Sequence, residues 1–96
     1  MQVGDIVTVV TISGEYVGKL TEYGDTHVVM KDPRMILQNQ DGQMGFAKGI
    51  AVTGNENPTE VQFQTIVFMT PTNKKVAEAY EDATSSIKVA SAGIVS

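Results

Sequence analysis

Residues 5–23 read DIVTVVTISGEYVGKLTEY, and this stretch decides the fold. Its first eight residues, Asp5 to Ile12, are mostly β-branched and stop at the turn pair Ser13-Gly14. Branched side chains fit a pleated surface, so the run predicts a strand. Ile6, Val10 and Ile12 fall on one face and Val7 and Val9 on the other, so both faces are apolar. Glu15 to Tyr23 alternates more clearly. Tyr16, Gly18, Leu20 and Glu22 share one side, and Val17, Lys19, Thr21 and Tyr23 share the other. Gly18 inside this second strand predicts a bend or a close backbone approach.

Working outward, Gly24-Asp25 signals a turn and Thr26 to Lys31 a third strand. Pro33 interrupts that ladder, and Met35 to Gln38 continues it after a bulge. Residues 39–59 carry four glycines and Pro58 and read as a long loop, with a short strand allowed within 45–52. Loops of this length in small domains are usually functional or mobile. Glu60 to Thr70 is a strong strand, or two short strands across a bend, and Pro71 ends it. Ile66, Val67, Phe68 and Met69 are again apolar on both faces. Beyond Thr72 or Asn73, either of which caps a helix, Val76, Ala79, Tyr80, Ala83 and Ile87 recur at helical spacing. The resulting division is a barrel over residues 1–71, a helix over 72–84 and a tail over 85–96. The predicted fold is mainly β: a small, strongly bent five-stranded barrel with a C-terminal helix.

The 96 residues suffice for one domain. There is no cysteine, which removes disulfides and thiolate metal sites, and no cofactor is expected. No apolar run reaches the length of a membrane span, and the start lacks the pattern of a signal peptide, so a soluble cytoplasmic protein is expected. The net charge of −4 argues against nonspecific duplex binding, which depends on neutralising phosphates. Single-strand binding needs only a local basic rim or a stacking site. Catalysis is not expected. There is one histidine, no thiol nucleophile and no telling carboxylate pair. Gly42-Gln43-Met44-Gly45 lacks the βαβ unit of a nucleotide fingerprint.

The first and last strands are apolar on both faces, yet a barrel this small has one interior. Something must cover the second face. A partly open barrel also leaves two strand edges that invite another chain. Pairing the last strand of one copy with an edge of the next closes a head-to-tail ring. The alternative is that the helix covers that face within one monomer.

The residues Val7 to Leu20, with glycines at Gly14 and Gly18, resemble the opening of the first Sm motif. Tyr23, Asp25 and the run His27-Val28-Val29-Met30-Lys31-Asp32 resemble its remainder. Val61 to Pro71 resembles the closing segment of the bacterial RNA chaperone Hfq. Lys31-Asp32-Pro33-Arg34, Gln43-Met44-Gly45-Phe46 and the ending Val76…Tyr80…Thr84 to Ile87 look like the Sm-like proteins of marine cyanobacterial phages. The resemblance implies an Sm-like (SH3-type) barrel, a homo-oligomeric ring of about five to seven subunits, a phage origin and a role with RNA or DNA. The chain departs from the pattern at several places. His27 stands where Sm rings carry a base-binding Asn, the Arg-Gly of the second Sm motif is missing, and Phe63-Gln64 replaces the Lys-His of Hfq. The helix follows the barrel instead of preceding it.

His27, the only histidine, is placed at a turn to stack on a base or hydrogen-bond to it; the plainer reading is a half-exposed strand residue with no ligand. Asp25 and Thr26 would orient it or contact the base edge, and are also ordinary turn residues. Gln64 and Thr65 would lie near His27 if the Sm alignment holds. Lys31 and Arg34 would hold phosphate, although Arg34 has Asp32 nearby as an ion-pair partner. Phe46 and Lys48 would grip a single strand, or Phe46 would simply anchor the long loop. Tyr16, Tyr23 and Tyr80 read as core or interface residues. Two functions follow. One is a ring that binds nucleic acid, single-stranded RNA first, and the other is a structural or adaptor ring that binds a protein.

Overall fold

The computed structural model describes residues 1–47, 51, 53–55 and 57–93, with residues 85–93 as backbone. Among the described residues six strands and one helix follow in order: β1 (Ile6–Thr11), β2 (Gly14–Tyr23), β3 (His27–Gln38), β4 (Met44–Phe46), β5 (Glu60–Gln64), β6 (Phe68–Pro71) and α1 (Lys74–Gly93). The sheet runs β4-β3-β2-β1-β6, with β5 also on β3, and every pairing is antiparallel. Strand β3 carries two partners in succession: β5 along His27–Lys31 and β4 along Ile36–Gln38.

Among the described residues one strand more than the expected five is present. Strand β4 forms inside the 39–59 loop because Asn39 closes a tight turn. Its Oδ1 accepts from the backbone N–H groups of Asp41 (3.0 Å) and Gln43 (2.9 Å), and its own N–H donates to Gln43 O at 2.9 Å. Asn side chains hold turns in this way.

Two irregularities bend the sheet. Between the pairs Val17↔Arg34 and Lys19↔Lys31, strand β3 holds one residue more than β2, so Asp32 and Pro33 bulge opposite Gly18. Asp32 takes a φ of 51°, in the left-handed region. Gly18 leaves room for this. A Cβ there would lie 2.9 Å from Met30 Cε, 3.1 Å from Pro33 Cα and 3.2 Å from Lys31 O. The bulge expected around Pro33 is therefore present, and Gly18 is its complement on the facing strand. A second register shift, at Thr21, places an extra residue on β2, where Thr21 Oγ1 donates to Val29 O at 3.1 Å.

The interior is lined by Val7, Val9, Tyr16, Leu20, Val28, Met30 and Phe63, with Met35, Val61, Ile66 and Met69 packed against it. Tyr16 and Phe63 meet with ring centroids 4.9 Å apart. The opposite face divides into two parts. Thr8, Val17 and Arg34 share a cross-strand row and are buried. Tyr80 of α1, fully buried, donates its hydroxyl to Asp32 O at 2.8 Å and to Lys31 O at 3.2 Å. The helix thus covers the bulge side. At the β1–β6 end the same face stays open: Val10 pairs with Phe68, which is 52% exposed, and Ile12 is 91% exposed.

The helix begins on Asn73, whose Oδ1 accepts from Val76 N at 2.8 Å. That choice between the two candidate caps satisfies one of the free N–H groups of the first turn. The backbone stays helical to Gly93, well past the expected end at residue 84, so the stretch expected to be a tail is helical over its described part. No proline or glycine interrupts it before Gly93.

Candidate nucleic-acid interface

The turn between β2 and β3 and the bend after β5 come together at one end of the sheet. His27 and Gln64 are paired residues across β3–β5. Asp25, Thr26, Gln64, Thr65 and Ile66 line a cleft of about 420 Å³ there. Four of the seven residues expected from the sequence to form a site therefore share one cleft, and His27 stands at its edge. The juxtaposition arises within a single chain. Thr65 holds a φ of 56°, rare for a β-branched residue, which sets the backbone at the bend.

His27 is fixed in place. Its Nε2 lies 3.0 Å from Glu22 Oε2. A carboxylate only accepts, so the neutral ring carries its proton on Nε2. The ring edge lies against Gly24, where a Cβ would stand 2.6 Å from Cε1 and 2.9 Å from Nδ1. The turn closes through Gly24 N–H to His27 O at 2.9 Å. Sequence reasoning missed Glu22. The register of the β2–β3 hairpin is the signal that exposes it, because it carries the end of β2 alongside the start of β3.

The remaining two residues lie elsewhere. Lys31 is exposed on β3, opposite Lys19 on one side and Glu60 on the other. It is four residues from His27, roughly 13 Å along a strand. Arg34 is 7% exposed, and its guanidinium donates to Pro33 O at 3.0 Å. It belongs to the buried row under the bulge, so the expected phosphate role and the expected Asp32 ion pair give way to a packing role. Phe46 packs edge-to-face on Tyr80, with centroids 6.2 Å apart, as a loop anchor would. Lys48 lies outside the described residues. Tyr16 and Tyr80 are buried, whereas Tyr23 is 54% exposed, so it is not a core residue.

Among the described residues no lysine or arginine lines the cleft, and no cluster of His, Cys, Asp and Glu has a metal-holding arrangement. No helix of the described residues is long and apolar enough to cross a membrane.

No family model matches the chain, and no curated protein matches it. Among solved structures it is similar to the crystal structure of a heptameric archaeal Sm protein. The TM-score is 0.51 at 16% sequence identity, over 74% of this chain and 90% of that one. The chain therefore has an Sm-like fold: a bent, mainly β sheet followed by a helix.

Proposed function

We propose that the chain assembles into a homo-oligomeric ring of the Sm type and binds single-stranded nucleic acid, RNA first, in the cleft of Asp25, Thr26, Gln64 and Thr65 beside His27. The observation that carries this reading is that cleft, built from two separate segments of the chain. The ring draws support from the edges of the sheet. Among the described residues β6 pairs only with β1 and β5 only with β3, which leaves one free edge on each. The exposed Phe68 lies on β6, and the exposed Ile12 follows the end of its partner β1. An apolar face next to an open edge is what a neighbouring copy covers. The solved neighbour is itself a heptamer, within the range of about five to seven copies that the resemblance to Sm proteins implies for a closed ring. A ring repeats the cleft once per subunit, so weak individual sites add up along one strand. Lys31, with Lys19 opposite, is an exposed cationic pair for phosphates on the strand that carries His27.

A second reading, an adaptor ring for a protein partner, is favoured by the burial of Arg34 and the absence of cations from the cleft. The groove of about 600 Å³ between β4 and α1, walled by Ile36, Met44, Phe46, Val76 and Ala79, would serve it.

The test is fluorescence anisotropy with labelled poly-U, poly-A and random single-stranded DNA over a salt series, on protein of checked mass. Binding that weakens with salt and drops in His27→Ala supports the nucleic-acid ring. A formed ring with no binding at low salt transfers the assignment to the adaptor.

A further inference from the structure

We infer that the cleft prefers a base presenting adjacent N–H donors, guanine above all; this rests on the nucleic-acid reading above. The argument starts from what lines the cleft. Ile66 is half-buried and packed against the core, so it supplies an apolar surface for the flat face of a base. Around it stand Asp25, Thr26, Gln64 and Thr65, all exposed. The Asp25 carboxylate accepts only, whereas the Gln64 amide and the Thr26 and Thr65 hydroxyls each both donate and accept. No other side chain among the described residues engages the Asp25 carboxylate.

A cleft with a carboxylate and, among the described residues, no cation repels phosphate and suits the uncharged part of a nucleotide. The bases then differ by their donors. Guanine offers N1–H and N2–H side by side on its Watson–Crick edge, matching the two oxygens of one carboxylate. Adenine and cytosine offer one amino group each beside ring acceptors. Uracil offers a single N–H between two carbonyls, and so only one donor for the carboxylate. His27 does not change this balance, because its Nε2 is already held by Glu22 at 3.0 Å. The charged groups facing the cleft are then Asp25 in its wall and the Glu22–His27 pair at its edge.

The experiment uses fluorescein-labelled strands of about twelve nucleotides, long enough to span several subunits of a ring. One alternates adenosine with guanosine, the second replaces guanosine by inosine, which lacks the N2 amino group, and the third is oligo-U. Anisotropy at low salt is expected to give about ten-fold or greater preference for the guanosine strand over the inosine strand, the discrimination one good bidentate contact supplies. Asp25→Asn, at an exposed turn position, leaves one acceptor oxygen where the carboxylate offered two and is expected to collapse the guanosine-over-inosine preference, read as the ratio of the two affinities. Equal affinity for all three strands overturns the inference and leaves the nucleic-acid reading standing. So does an Asp25→Asn variant that strengthens every strand equally, since that is only the loss of a repelling charge. Absence of binding to any strand overturns both.

Discussion

The hydroxyl of Tyr80 donates to the carbonyl of Asp32 at 2.8 Å, across 48 residues of chain. Asp32 sits at the bulge that bends the barrel, with φ of 51°, and the same hydroxyl also reaches Lys31 O at 3.2 Å. The helix therefore holds the barrel at its most irregular point, through a side chain with no exposed surface.

Removing that hydroxyl leaves two carbonyls of the bulge without their donor while keeping the ring that fills the site. Tyr80→Phe is expected to lower stability by about 1–3 kcal/mol, the cost of an unmet buried polar group. Urea unfolding followed by circular dichroism measures it, with the midpoint falling and the slope unchanged.

The same phenol makes stability depend on alkaline pH. Burial, and then the nearby Asp32 carboxylate, push the Tyr80 pKa up from its ordinary value of 10.0 to about 12. The folded state favours the neutral phenol, so this contribution is complete below about pH 10 and is lost as pH rises towards 12. The full two-unit shift corresponds to about 3 kcal/mol. Thermal melts across that window are expected to fall more steeply for the wild type than for Tyr80→Phe.

Gly18 faces the bulge across the sheet, and a Cβ there would press on Pro33 Cα at 3.1 Å and Lys31 O at 3.2 Å. Backbone does not yield as a side-chain end does. Gly18→Ala is expected to cost roughly 1–3 kcal/mol, the range for overpacking, read as a lowered melting temperature.

Gly24→Ala would place a methyl group 2.6 Å from His27 Cε1, and the ring must swing away from Glu22. A pair this exposed contributes less than about 1 kcal/mol to folding. Stability is therefore expected to stay nearly constant while single-strand affinity falls several-fold. Nitrogen NMR of the imidazole checks the mechanism, because the Nε2–H tautomer held by Glu22 loses its partner.

Much of this fold was legible in the order of the residues. The β-branched run of β1 and the alternation of β2 mark their strands directly, and Pro33 marks the bulge. The tight turn at Asn39 was not legible, because one Asn among glycines and glutamines carries no periodic signal. The helix beyond Thr84 was also hidden: Ser85 to Gly93 has no apolar stripe, yet nothing in it forbids helix before Gly93. The candidate site was legible in part. Asp25, Thr26, His27, Gln64 and Thr65 were reached through the resemblance to Sm proteins, and the structure places them together. Arg34 misled, since charge in a sequence does not reveal that its row is buried under a helix. Glu22 emerged only from pairing register.

Native mass spectrometry of the protein mixed with a short single strand tests the central claim most directly, because one spectrum reports both assembly and binding. The account predicts a single closed species containing about five to seven copies of the 10.3 kDa chain, carrying a bound strand. A monomer at every concentration, with or without a strand attached, would contradict it.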